Sequence, residues 1–265
     1  MINLNNFILL VLLIVFLGFS AFSTQASEPA YQSSRRQIHR KYVPLNKEVK
    51  VAFFDADSTL RVAPSGNVSA NGKDDVLLLP GVARGIKALV NKGYFIAIVS
   101  NQGGVPRNVP EEVADGALQT TIRLIEEGGG TVHYYDYATS EEEFDRKPNV
   151  GMFARLKALL EKTYSPNAPL LTQSWFMVGD SAFKGLVKGN LVPDYTAKCV
   201  READGTLHSQ VGTHFSNADR LFAQNAGIAF VEPTDLFGWR KFGIDVFEKK
   251  EQVDAFMVEH PKFGR

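Results

Sequence analysis

Residues 51–60 read VAFFDADSTL, an apolar run that ends in Asp55 and Asp57, one residue apart, with Ser58 and Thr59 behind them. Two acids in this place have two explanations: Asp and Ser turn chains after strands, or the pair is a catalytic centre. Residues elsewhere bear on the choice. Ser100-Asn101-Gln102-Gly103 closes a second apolar run, Gly179-Asp180-Ser181 closes another, and Arg146-Lys147-Pro148 opens a helical pattern. Each is weak alone, since a Gly-Asp after a strand is usually a turn and a Lys before Pro is usually a solvated helix start. Together they supply three acids, a hydroxyl and an amine, the groups of nucleophilic and acid–base chemistry.

The elements that must position them follow from the periodicity. Val49 to Phe54, Phe95 to Ser100, Thr131 to Ala138, Trp175 to Val178 and Ile228 to Val231 are short and rich in Val, Ile and aromatics, as buried strands are. Helical patterns lie between them, at Val82 to Asn91, from Pro110 to the glycines at 128–130, at Val150 to Thr163 and at Ala218 to Asn225. This alternation predicts an α/β fold with right-handed crossovers and a mostly parallel sheet covered on both faces. Ligands of such sheets bind beyond the carboxyl ends of the strands, so the polar residues named above converge on one rim.

The order DxD(S)T, S-N-Q, R-K-P, V-G-D resembles the four motifs of the haloacid dehalogenase (HAD) superfamily, whose phosphatases work through an aspartyl-phosphate. The resemblance runs from Val49 to Trp239 and is most like capless subfamily IIIA, which includes polynucleotide 3′-phosphatases, histidinol-phosphate phosphatases and heptose-bisphosphate phosphatases. The segment GTHFSNADRLFAQNAGIAFVEPTDLFGW is similar to the tail of the polynucleotide 3′-phosphatase branch. The resemblance implies a Rossmann-like three-layer sandwich with a mostly parallel sheet of strand order 3-2-1-4-5 and no large cap domain, Asp55 as nucleophile, and Asp57 as the acid that protonates the leaving oxygen and then takes a proton from water. It implies Ser100 and Lys147 as donors to the phosphoryl oxygens. Mg²⁺ would be held by Asp55, the Asp57 carbonyl and Asp180, with Asn101, Arg146, Ser181 and Asp219 in support. Asp219 is also readable as an acid at a helix N-terminus, favoured there by the helix dipole.

Departures from the pattern matter too. Ser58 stands where the superfamily often has Gly, and GDSAFKG has no second acid within four residues of Asp180, so the metal site leans on Asp219 or on water. There is no Cys-rich loop, which speaks against the heptose-bisphosphate type, and no G-x-x-x-x-G-K-[ST] loop. No insertion of cap size separates Asp57 from Ser100 or Gln102 from Lys147, so an open site is expected, fit for a phosphorylated small molecule or a nucleic-acid end. Arg61, Arg107, Lys184 and Lys188 are expected as surface charges near the rim. A phosphomonoesterase is the first reading and a nucleic-acid 3′-phosphatase the second. A phosphate-binding protein without catalysis is the third.

The 265 residues carry 29 basic and 29 acidic side chains, so no overall field marks a nucleic-acid or membrane-surface protein. Residues 1–26 hold no charge and end in small residues after an apolar run, as a signal peptide cleaved after Ala26 would. That predicts a periplasmic or secreted protein without a stable membrane partner; the alternative is a retained N-terminal anchor. Residues 27–46, with the run RRQIHRK, are expected as a solvated polar linker, and 47–265 as the HAD-like domain. The single Cys199 cannot form an internal disulfide. Val246, Phe247, Val253, Phe256 and Met257 suggest a helix in the tail. The oligomeric state has no signature.

Overall fold

The computed structural model describes residues 34–65, 67–164, 168–181, 186–187, 190–191, 195–201, 207–213 and 216–238, with only the backbone from 186 to 213. The leader, Lys184, Lys188, the thiol of Cys199 and the tail after Gly238 lie outside these residues. No helix among the described residues is long and apolar enough to cross a membrane.

In chain order the strands are β1 (Lys50–Phe54), β2 (Arg61–Val62), β3 (Leu77–Leu78), β4 (Tyr94–Asn101), β5 (Tyr134–Ala138), β6 (Phe176–Val178), β7 (Leu186–Val187), β8 (Asn190–Leu191), β9 (Tyr195–Arg201), β10 (Leu207–Thr213) and β11 (Ala229–Val231). The helices are α1 (Val82–Asn91), α2 (Glu111–Glu127), α3 (Gly151–Tyr164), α4 (Ala218–Ala226) and the single turn α5 (Pro233–Leu236). Five strands form one sheet in the order β11-β6-β1-β4-β5, parallel throughout. Numbered along the chain, these five stand in the expected 3-2-1-4-5 arrangement.

Strand β1 is central and covered on both faces, which is why its sequence is apolar without alternation. Ala52 and Phe54 face a layer with Val82, Ile86, Leu118 and Ile125. Val51 and Phe53 face another with Met152, Leu156, Trp175 and Phe222. Asp55 and Asp57 follow the carboxyl end of β1, the side on which sheets of this kind bind their ligands.

Two features differ from the sequence expectations. Between Ser181 and Ser216 the chain forms two antiparallel ribbons, β7–β8 and β9–β10, where no element was anticipated. Strands β9 and β10 flank a segment containing Asp204-Gly205, a short-range hairpin signal that could have found them. The second difference is a correction. From Ser34 onward, residues expected as a solvated linker run along the outer edge of β5 instead. Arg36 N–H donates to Tyr135 O at 2.9 Å, His39 N–H to His133 O at 2.8 Å, and Ile38 bridges Tyr134 antiparallel. Arg36 pairs with Asp136 at 2.9 Å and with Glu142 at 2.5 Å, and Arg35 with Glu142 at 3.2 Å and Glu111 at 3.3 Å. The basic run is therefore matched by acids on β5, on α2 and on the loop that leads to Lys147. Counting basic residues in one segment could not reveal acids that lie about a hundred positions away.

Candidate active site

Asp55 follows β1 directly, and its N–H donates to Val178 O at 2.9 Å, so it lies at the carboxyl end of two adjacent strands. The chain then leaves strand geometry. Leu60 and Arg61 N–H donate to Ala56 O at 2.9 and 3.1 Å, and Ser58 N–H donates to Arg61 O at 2.8 Å, closing a tight loop. Ser58 sits at φ 60° inside it. The left-handed region suits glycine best, so Ser58 fills a glycine-type conformation rather than altering the turn.

Lys147 holds the centre together. Its Nζ lies 2.6 Å from Asp55 Oδ1 and 2.7 Å from Asp219 Oδ1, and all three residues are more than nine-tenths buried. The backbone at Lys147 is fixed by Asn101, whose side chain donates to Lys147 O at 2.9 Å and accepts from Lys147 N–H at 2.8 Å. Asp219 Oδ2 accepts Ser181 N–H at 3.0 Å, while Asp219 N–H and Arg220 N–H donate to Ser181 O, tying the start of α4 to the end of β6. Gly179 is needed there, because a Cβ on it would overlap the Asp219 carboxylate. Asp180 N–H donates to Thr59 Oγ1 at 3.1 Å, which links the loop after β6 to the loop after β1.

The electrostatics follow from burial. Desolvation pushes the Asp55 carboxyl up to about 7; Lys147 opposes this, and Asp219 and Asp57 add to it. Burial works against the charge of Lys147, but Asp219 and Asp55 outweigh it and hold the ammonium above its ordinary value. Asp55, Asp180 and Asp219 each offer a carboxylate oxygen, all within 4.8 Å of one another. Lys147 pairs with two of these acids, Asp55 and Asp219. An all-oxygen donor set of this kind fits a hard divalent cation.

A cavity of about 500 Å³ opens over this cluster, lined by Asp55, Asp57, Ser100, Lys147, Asp180 and Asp219 among others. All the sequence-predicted site residues line it: Asn101, Arg146 and Ser181 do so as well. The structure thus brings Asp219, which also had a simple helix-start reading, into the cluster. Ser100 is 1 % exposed and its Oγ accepts from Gln102 Nε2 at 2.9 Å. Gln102 also donates to Asp57 Oδ2 at 3.0 Å.

One residue corrects the sequence expectation outright. Arg61, read as a surface charge, is fully buried and pairs with Asp57, Nε to Oδ1 at 2.9 Å and Nη2 to Oδ2 at 3.4 Å. The loop after β1 folds back on itself, and that brings the two side chains together. Arg107, by contrast, is exposed as expected.

The sequence is similar to several proteins of known description. The sequence profile described as polynucleotide kinase 3 phosphatase matches residues 50–237. A bifunctional polynucleotide phosphatase/kinase of Schizosaccharomyces pombe is 36% identical over 225 residues, 83% of this chain and 46% of the relative. A putative enzyme of the same description from Acanthamoeba polyphaga mimivirus is 26% identical over 199 residues, 73% of this chain and 42% of the relative. The D-glycero-beta-D-manno-heptose-1,7-bisphosphate 7-phosphatase of Haemophilus ducreyi is 30% identical over 142 residues, 49% of this chain and 72% of that one. The chain spans less than half the length of the two polynucleotide phosphatase/kinases it matches. Matched from residue 50 to 237, the chain belongs to the polynucleotide kinase 3 phosphatase family, and through it to the HAD-type phosphatases.

Proposed function

We propose that this chain is a phosphomonoester phosphatase that works through an aspartyl-phosphate on Asp55 and is exported by its N-terminal segment. The observation that carries the reading is the buried Asp55 carboxylate, with Lys147 Nζ at 2.6 Å, on the floor of the cavity. A carboxylate so placed is aimed at whatever anion the cavity admits, and the ammonium beside it is a donor for that anion's oxygens.

An oxygen of Asp55 attacks phosphorus, the ester P–O bond breaks, and Asp57 gives its proton to the departing oxygen, releasing an alcohol. Water then attacks the phosphorus held on Asp55, its proton passes to Asp57, and the bond between phosphorus and the Asp55 oxygen breaks to free inorganic phosphate. Lys147 and the Ser100 hydroxyl donate to the non-bridging oxygens throughout, where charge must be held. Gln102 already donates to Ser100 Oγ, which leaves the hydroxyl proton for the substrate. Asp55, Asp180 and Asp219 would hold Mg²⁺, which when bound offsets the charge of the acids and the phosphate.

The match along residues 50–237 favours a 3′-phosphorylated nucleic-acid end as the substrate class; small phosphomonoesters are the other reading. The export reading rests on the uncharged apolar segment 1–26. The test is phosphate release, with and without chelator, from a 3′-phosphorylated oligonucleotide, a nucleoside monophosphate and a sugar phosphate. Mg²⁺-dependent release that falls by at least about 10³-fold in Asp55→Asn supports the reading. No release from any of the three, with Asp55→Asn indistinguishable, would replace the enzyme by a phosphate-binding protein.

A further inference from the structure

We infer that Arg36, in the segment along the outer edge of β5, is a positioning residue for Lys147: it holds the turn that carries the lysine into the centre. The inference rests on the phosphatase reading above, in which Lys147 donates to phosphoryl oxygens.

Lys147 is delivered by the chain between β5 and α3. The turn just before it is closed by Asp145 N–H and Arg146 N–H, which donate to Glu142 O at 3.0 and 3.2 Å. Two acids of this turn meet one guanidinium. Arg36 Nη2 lies 2.5 Å from Glu142 Oε1 and 3.5 Å from Asp145 Oδ2, while its Nε lies 2.9 Å from Asp136 Oδ1. Asp136 is on β5 and fully buried, so it is the fixed point of the three. Glu142 Oε2 also accepts Thr139 N–H at 3.1 Å, which draws the start of the loop into the same arrangement. From the other side comes Arg155 of α3, with Nε 2.9 Å from Asp136 Oδ2 and Nη2 2.5 Å from Asp145 Oδ2. A Cβ on Gly151, the first residue of α3, would overlap Asp145, so the turn also packs closely on that helix. The approach to Lys147 is thus tied to the edge strand by Arg36 and to α3 by Arg155.

The backbone of Arg36 points the same way. Its φ is 71°, in the left-handed region that a residue with a Cβ enters at a penalty. Such conformations persist where the surroundings determine them, and they gather at functional sites. A segment that only covered the edge of β5 could stay extended, as a paired strand does. Arg36 leaves that geometry, and its guanidinium reaches three acids. Arg40, four residues on, makes the contrast: it is exposed and pairs with Glu126 in the last turn of α2 at 2.8 Å, a surface pair of the kind that contributes little.

A lysine that must meet phosphoryl oxygens works only within hydrogen-bond reach, and misplacements near 1 Å lower turnover by about 10²-fold. Loosening the turn should therefore weaken the grip on phosphate itself. A role confined to stability acts differently. It lowers the number of folded molecules and hence the apparent maximal rate, but it leaves KM and the phosphate dissociation constant unchanged, since neither depends on how many molecules are active.

The experiment titrates inorganic phosphate by calorimetry in the presence of Mg²⁺, and measures kcat and KM for whichever of the three esters above is turned over. Wild type is compared with Arg36→Gly, Glu142→Gln and Arg40→Gln. Arg36→Gly removes the guanidinium and suits the left-handed backbone; Glu142→Gln keeps the arginine and remains informative if Arg36→Gly folds poorly. Expected is phosphate binding weaker by about tenfold in Arg36→Gly, with kcat/KM down by about 10- to 10²-fold. Glu142→Gln should move both in the same direction at smaller size, and Arg40→Gln neither. An unchanged phosphate dissociation constant and KM in both Arg36→Gly and Glu142→Gln, or an equal shift in Arg40→Gln, would overturn the inference alone. A wild type that binds phosphate without hydrolysing any ester ends the phosphatase reading, and the titration then still decides whether Arg36 places Lys147. If wild type neither binds nor hydrolyses, both fall.

Discussion

Gly179 shows how little room the centre leaves. Its missing side chain is the space the Asp219 carboxylate occupies, and Asp219 is one of the two acids on Lys147. Gly179→Ala should push Asp219 away and lower kcat by about 10²-fold, as displacements near 1 Å do, with circular dichroism unchanged; near-normal turnover would mean the site tolerates the shift. A second residue gives a pH prediction far from the cavity. His133 is 3 % exposed, its Nδ1 accepts Ile96 N–H at 3.0 Å, and burial holds its pKa down at about 4. The unfolded chain therefore binds the proton first as pH falls. Stability from neutral His133 is complete above about 6.5 and is lost between there and 4. His133→Gln, which keeps an acceptor for Ile96, should flatten the urea-midpoint profile over that interval, and an unflattened profile would count against a neutral buried imidazole.

At the scale of elements, Ser58 is the informative position. Its φ of 60° closes the loop that returns Arg61 to Asp57. Ser58→Gly should match wild type or gain up to about 1 kcal/mol in chemical denaturation, and Ser58→Val should lose about 1–2 kcal/mol; the reverse order would show that the serine is held by more than its backbone. The five core strands and the four main helices were legible in the sequence because buried runs and helical faces repeat locally, and the strand order came with the resemblance to a known family. Asp55, Asp57, Ser100 and Asp180 were legible for a related reason, each being polar where an apolar element ends, and Lys147 by its place before a helix in an order that resembles a known family. Arg61 was not, since burial of a charge depends on a partner's reach, and spacing says nothing of reach. Asp219 was half legible: a helix-start acid looks the same whether or not a lysine from another loop lies beside it. The ribbons between Ser181 and Ser216 went unseen because only a turn signal marked them.

For the molecule as a whole, the N-terminal strap from Ser34 to Tyr42 is the part the sequence disguised. Its charge is matched by acids of β5, α2 and the loop before Lys147. A chain begun at Ser34 should exceed one begun at Val43 by at least about 3 kcal/mol, since the shorter form leaves Glu142 without Arg35 and Arg36, leaves Asp136 with Arg155 alone, and strips Tyr42 from the core. Equal thermal midpoints would show that the strap merely rests on the domain. Its position has a further consequence. An open edge on β5 would offer unpaired N–H and C=O groups to another chain, the usual start of strand-by-strand aggregation. Arg36, Ile38 and His39 take up that edge at Tyr135, Tyr134 and His133, so the strap closes this side of the sheet to an incoming strand.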